Sequence, residues 1–354
     1  MEQGHGALEG VELSMKILVT GTDGYIGCLL APMLIEAGHD VVAVDTGFYK
    51  NGWLYNGLKS EALTLAKDMR NLTEADFEGV DAVVALAELS NDPVGDLVGP
   101  ITYEINHLGS AHVAKTAKAA GVERFVYMSS CSVYGVVDGT VDETSEVNPQ
   151  TAYGKCKYLT EQDLWALADD NFHPVALRNA TAFGASPRQR FDIVLNNLSG
   201  LAYTTGVIAM TSDGTPWRPM AHALDLCKGI LLMLDSPVEK IHAQAFNSGS
   251  NDNNYTVREI AETVANEFTG CQLSFGEPGA DNRSYKVNFD KISDLGLVCD
   301  WDLAKGAKQL HEVFDAIQLD EATFTGRGHT RLKQIEWLLK TGQVDEKLFW
   351  KREW

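Results

Sequence analysis

Lys16 to Thr20 (KILVT) is a short apolar run that stops on Gly21, and two more glycines follow at Gly24 and Gly27. The run reads as a buried strand, and the apolar pattern from about Tyr25 to Ala37 reads as a helix that Gly38 stops. A second apolar run, Val41 to Val44, ends on Asp45. Strand, glycine turn, helix, strand and acid in that order constrain the chain more than any other feature. A dinucleotide-binding turn needs each part. Gly21 permits the tight turn, Gly24 lets the backbone approach a diphosphate, and Gly27 lets the helix pack close to the sheet. N–H groups at the helix start then face the phosphates. A carboxylate at Asp45, 18 residues past Gly27, accepts hydrogen bonds from ribose hydroxyls and repels a 2′-phosphate, which favours NAD over NADP. Gly21, Asp23, Gly24, Tyr25, Ile26, Gly27 and Asp45 are therefore the first cofactor candidates.

Apolar runs recur at 82–86, 124–128 and 174–177, with helical patterns between them at 103–120 and 153–168. Buried strands alternating with helices predict an α/β fold, a Rossmann-type doubly wound parallel sheet covered on both faces. Beyond about residue 185 the pattern loosens. Helices are expected over 191–201, 224–234, 257–268 and 332–339, with a loop at 248–254. The expected organisation is a disordered extension or cloning remnant over 1–14 and an NAD-binding domain over 15–185. Segments around 207–250 return to that domain. A smaller, mainly substrate-binding C-terminal lobe spans 186–325, and a helical tail spans 326–354.

The net charge of -20 argues against nucleic acid as a partner, because duplex binding needs a basic face. Any anionic ligand must then be held by a few local cations and backbone N–H groups. The six cysteines are widely spaced, without a CxxC pair, as expected for free thiols in a reducing compartment. No apolar run approaches the roughly 20 residues that span a bilayer, and no leader pattern opens the chain, so a cytoplasmic protein without a membrane partner is expected. The nine histidines lack the spacing of a metal-ligand set.

The spacing T-G-x-x-G-x-x-G resembles the extended short-chain dehydrogenase/reductase family, the group that contains nucleotide-sugar epimerases and dehydratases. Further segments match in order: Asp68-Met69-Arg70, Leu86-Ala87, and Asn106 in the mid-domain helix. The resemblance implies that Asp68 and Met69 lie near the adenine and that Leu86, Ala87, Asn106 and Ser129 lie beside the cofactor. It covers roughly residues 15 to 310. Phe125 to Gly135 reads as a strand entering a polar turn, and Tyr153-Gly154-Lys155-Cys156-Lys157 follows about 20 residues later. Residues i and i+4 share a helix face. Lys157 then holds its ammonium near Tyr153 and the nicotinamide ribose. A cation there lowers the tyrosine pKa from about 10 and makes the phenol a usable base. The resemblance places the catalytic serine four residues before Tyr134, at Ser130.

Two positions depart from the family pattern. Related 4,6-dehydratases carry Asp and Glu where this chain has Cys131 and Ser132, and relatives usually carry a small residue where it has Glu88. Cys131 is read as an acid or base in a proton transfer, or as a small buried filler. Glu88 is read as a substrate-facing acid or base, or as a carboxylate bonded to nearby N–H groups. On the substrate side, Thr181 stands where the family usually has Asn. Ser90, Ser132, Thr181, Asn197, Arg218 and Arg283 are the candidate contacts, the two arginines gripping a diphosphate. His222 is read as structural.

The expectation is a nucleotide-sugar epimerase that transiently oxidises a sugar hydroxyl, at C4, through Ser130, Tyr153 and Lys157. A dehydratase, decarboxylase or 4-keto reductase on the same scaffold, a dehydrogenase of another alcohol, and an NAD-sensing module without catalysis are the alternatives. The resemblance also implies a homodimer.

Overall fold

The structure, a computed structural model, describes residues 14–56, 62–90, 99–278 and 284–351. Apart from Ser14, the expected extension over residues 1–14 lies outside them. Seven parallel strands form the central sheet. Their order is Gln244–Ser248, His173–Asn179, Arg124–Ser130, Ala82–Ala85, Lys16–Thr20, Asp40–Asp45 and Leu63–Ala66. The strand order reverses beside Lys16–Thr20. A crevice opens outside the carboxyl ends of strands at such a point, and ligands of open α/β sheets bind there.

Alternation along the strands divides the core in two. Ile17, Val19, Val84 and Val126 pack on one face, with Leu30 and Leu34 of the helix Gly27–Glu36 and Ile230 of the helix Ala223–Asp235. Leu18, Val83 and Phe125 pack on the other, with Val113 and Ala117 of the helix Ser110–Ala119. A third cluster centres on Phe183, Phe191, Leu195, Ile260, Leu310 and Phe314. It builds the second lobe from the helices Val194–Thr205, Val257–Glu267 and Leu303–Ile317.

Two local expectations gain detail. The helical stretch expected over 103–120 opens as a π-helical run, Tyr103–Gly109, and continues as the helix Ser110–Ala119. The widened turn holds Asn106, whose side chain bonds both backbone groups of Leu89. Such bulges gather at functional sites. The loop expected over 248–254 contains a 3-10 turn, Asn251–Asn253, that leads into the strand Asn254–Thr256.

His222 ties the lobes together. Its Nδ1 accepts the Leu224 N–H at the start of the helix Ala223–Asp235, which leaves Nε2–H to donate to Gln309 Oε1 at 2.8 Å. Its ring stacks on Trp301 at 4.1 Å. Burial pushes its pKa down to about 4. Between that value and the unfolded value near 6.5, the unfolded chain binds a proton that the native chain refuses, so stability falls as pH drops through this window. The predicted loss is about 3 kcal/mol by pH 4. Denaturant titrations of the wild type and of His222→Asn, which keeps a capping acceptor, measure it. The variant has the shallower pH slope, and equal slopes would refute the assignment.

Candidate active site

The crevice is a cleft of about 890 Å³ running from the glycine turn to the end of the strand Arg124–Ser130. At one end the backbone folds tightly. The Gly21 N–H donates to the Val44 carbonyl at 2.7 Å. Gly21 holds φ +79°, and an added Cβ would meet Ala87 N at 2.9 Å. An added Cβ on Gly27 would collide with the Gly21 carbonyl oxygen. Glycine is thus required by conformation at the first position and by close packing at the second. Asp45 lines this end, its two carboxylate oxygens accepting the N–H groups of Asp23 and Gly47. Burial raises its pKa to about 6. Asp68, bound in a fork by Arg70, and Met69 line the cleft nearby.

The other end is polar. The helix Ala152–Leu167 starts at Thr151, whose hydroxyl caps Gly154 N–H, and the helix presents Tyr153 and Lys157 to the cleft. The Lys157 ammonium lies 5.3 Å from the centre of the Tyr153 ring and donates to the Met128 carbonyl. Its ion-pair partner is Glu88 at 2.8 Å. Glu88 also accepts the Tyr127 hydroxyl at 2.7 Å and the Ser110 hydroxyl at 3.4 Å. Burial opposes the charge on Lys157 most strongly, but the Glu88 carboxylate and Tyr153 carry its pKa above the ordinary lysine value. Of the two readings of Glu88, neither names this partner: the carboxylate is the counter-ion of Lys157.

Ser130 sits at the strand end, and its Oγ accepts the Ser132 N–H at 3.1 Å. Ser129 lines the cleft too, but its hydroxyl donates to Glu161, which is buried and paired with Arg178 at 2.7 Å. The Cys131 thiol donates to the Arg178 carbonyl at 3.1 Å, and burial pushes its pKa far up. These contacts match a buried filler rather than a proton carrier.

Gly21, Gly24, Tyr25, Ile26, Gly27, Leu86, Ala87, Ser90, Ser132, Thr181 and Arg218 also line the cleft. Three of the expected site residues sit elsewhere. Asp23 pairs with Arg188 at 3.1 Å, outside the lining. Asn106 is fully buried behind it and positions the Leu89 backbone. Asn197 donates its amide to the Phe191 carbonyl and stands clear of the cleft. Arg283 lies outside the described residues. The sequence reading missed Tyr49, Arg190, Asp192 and Arg331 in the lining. Arg190 and Asp192 precede the run read as a helix over 191–201 or open it, and Arg331 begins a tail helix whose pattern carries no sign of a site.

Residues 17–249 match the NAD dependent epimerase/dehydratase family. The chain belongs to that family. It is 30% identical over 333 residues to the UDP-glucose 4-epimerase of Bacillus subtilis (strain 168), which covers 84% of this chain and 94% of that enzyme. The solved structure of MoeE5 with UDP-glucuronic acid and NAD superposes with a TM-score of 0.74 at 26% identity, covering 85% of this chain and 99% of that one. UDP-glucose 4-epimerase of Thermotoga maritima, solved with UDP-glucose, shares the fold with a TM-score of 0.75 at 22% identity, over 86% of this chain and 100% of that one. The protein is an NAD-dependent enzyme of the extended short-chain dehydrogenase/reductase type. Among the described residues no helix is long and apolar enough to cross a membrane.

The Glu88–Lys157 pair generates a test that needs no substrate. Removing one member of a buried ion pair strands the other charge and costs about 3–5 kcal/mol. Lys157→Met is expected to lose about that much stability, and Lys157→Met with Glu88→Gln to recover most of it. Urea unfolding of both single variants and the double variant reads the coupling, and simple additivity would rule the pair out.

Proposed function

We propose that the protein is a nucleotide-sugar 4-epimerase acting on a UDP-hexose. The observation that carries this reading is the Tyr153–Lys157 pair, presented by one helix to the cleft that the glycine turn opens. Similarity to UDP-glucose 4-epimerases over most of both chains supports the substrate class.

In this reading the cleft would hold the dinucleotide, with Gly21, Gly24, Tyr25, Ile26 and Gly27 holding its diphosphate. Asp45 would hold its ribose hydroxyls, and Asp68 and Met69 its adenine. Leu86, Ala87 and the backbone of Ser129 would hold the nicotinamide end, and Asn106 acts by holding the Leu89 loop. Bound NAD supplies a reversible acceptor for two electrons together with the hydrogen of the reacting carbon. Tyr153 takes the proton of the sugar hydroxyl, with the Lys157 cation favouring its phenolate. Ser130 hydrogen-bonds the same oxygen and steadies it as it becomes a carbonyl. Tyr153 returns the proton once the ketone has turned its other face. Ser90, Ser132, Thr181 and Arg218 bind the substrate, the Arg218 guanidinium facing its diphosphate.

Epimerisation is favoured over loss of water by the segment after Ser130. The residues that stand where dehydratases carry acids are a buried, hydrogen-bonded thiol and a serine. Neither is an acid fitted to expel water near neutral pH.

The test is incubation of the purified protein with UDP-glucose and catalytic NAD, followed by NMR of the products. An isomer of unchanged mass, inverted at C4, is expected. Tyr153→Phe is expected to lose at least 10²–10⁴-fold in turnover while still binding NAD. Loss of water or carbon dioxide from UDP-sugars would move the reaction class, and inertness to every nucleotide sugar would sink the proposal.

A further inference from the structure

The helix Arg331–Lys340 and the turn after it dock onto the loops that follow two sheet strands. Gln334 donates to the Phe48 carbonyl at 2.8 Å, and the Trp350 indole donates to the Thr46 carbonyl at 2.7 Å. Arg70, the partner of Asp68, lies 3.6 Å over the Phe349 ring and donates to the Lys347 carbonyl. Ile335, Leu338, Val344 and Leu348 are buried in the core cluster that contains Phe48 and Leu72. Leu348 holds φ 60°, a conformation costly for leucine that persists only where packing over-determines it. The tail is thus fastened to the segments that carry Asp45 and Asp68.

From this tail Arg331 enters the cleft. It is 4% exposed, and its guanidinium lies 3.9 Å over the Tyr49 ring. Three arginines gather here, and two are matched. Arg188 pairs with Asp23, and Arg190 pairs with Asp192 while donating to Ser90. Arg331 makes no hydrogen bond or ion pair with any described residue. Burial, with Arg190 and Arg188 nearby, lowers its pKa to about 10 despite the opposing influence of Tyr49 and Asp192. It also acts electrostatically on Cys28, in the first turn of the helix that follows the glycine turn. A buried cation without a counter-ion is unfavourable, and a guanidinium fork matches phosphate oxygens.

We propose that the C-terminal segment is part of the cofactor site, and that Arg331 binds a phosphate of the dinucleotide's diphosphate opposite the glycine turn. This inference rests on the reading of the cleft as the NAD site and is independent of which sugar reacts. Arg331, which no carboxylate among the described residues pairs, would gain a direct anionic partner when the dinucleotide binds. The tail therefore acts as a clasp that slows cofactor loss.

The test uses the full chain freed of copurified dinucleotide, with Arg331→Met and Arg331→Lys. Calorimetry reads binding of NAD, ADP-ribose, adenosine and UDP, and thermal unfolding reads the apo proteins. Arg331→Met is expected to weaken NAD and ADP-ribose about 10–100-fold, the range of charge-assisted hydrogen bonds. It should leave adenosine and UDP unchanged and raise the apo melting temperature, because it removes a stranded charge. Arg331→Lys keeps the charge without the fork and should fall between the two. A loss of UDP affinity with NAD unchanged would assign the arginine to the substrate diphosphate and overturn the proposal. Unchanged NAD affinity in both variants would overturn it as well. If Arg331→Met fails to fold, Arg331→Lys alone decides between these outcomes. Turnover of UDP-sugars plays no part, so failure here is distinguishable from failure of the epimerase reading.

Discussion

Charge buried at the carboxyl edge of a parallel sheet is the constraint on which this structure depends. A lysine 3% exposed beside a tyrosine is useful chemistry, but an ammonium taken out of water needs compensation. Glu88 supplies it from the loop after Ala82–Ala85, and the Met128 carbonyl supplies a further acceptor. A second pair, Glu161 with Arg178, lies behind the first. It holds Ser129 on one side and the Tyr134 hydroxyl on the other. Helix Ala152–Leu167 and the strands Arg124–Ser130 and His173–Asn179 are thereby cross-linked by charge as well as by apolar packing.

The same need organises the rest of the cleft. Asp23 is drawn from the cofactor side to Arg188, and Asp192 holds Arg190. Asp45 is kept in place by two backbone N–H groups and keeps acceptor capacity toward the cleft. In a chain of net charge -20, these few cations set the local potential that a doubly anionic ligand meets. Among the described residues Arg331 stands out because Arg188 and Arg190 beside it are each paired with a carboxylate.

The two ends of the cleft differ in how they are built. The glycine end is backbone geometry, set by the positive φ of Gly21 and the close approach of Gly27. The polar end is side-chain geometry, set by helix phase and by ion pairs. The first tolerates little change of residue type. The second is tunable through neighbours, and the Glu88 carboxylate beside Lys157 is one such neighbour.

Local patterns in the sequence carried the glycine turn, the run ending at Asp45, and the i, i+4 relation of Tyr153 and Lys157. In each case the physical requirement acts over a few residues, as φ, packing distance or helix pitch. Five sheet strands were legible as apolar runs. Leu63–Ala66 was not, being four residues at the sheet edge, and Gln244–Ser248 was not, because Gln244, Asn247 and Ser248 break its apolar pattern. What sequence could not decide were meetings between segments far apart in the chain. Glu88 meets Lys157 across 69 positions, and the Cys131 thiol meets the Arg178 carbonyl across 47. Arg331 reaches the cleft from the far end of the chain. Periodicity reports which face of an element is buried, but not which charge waits on the neighbouring one. Only packing the elements brings those charges within a few ångströms, where Coulomb energy and desolvation determine their roles.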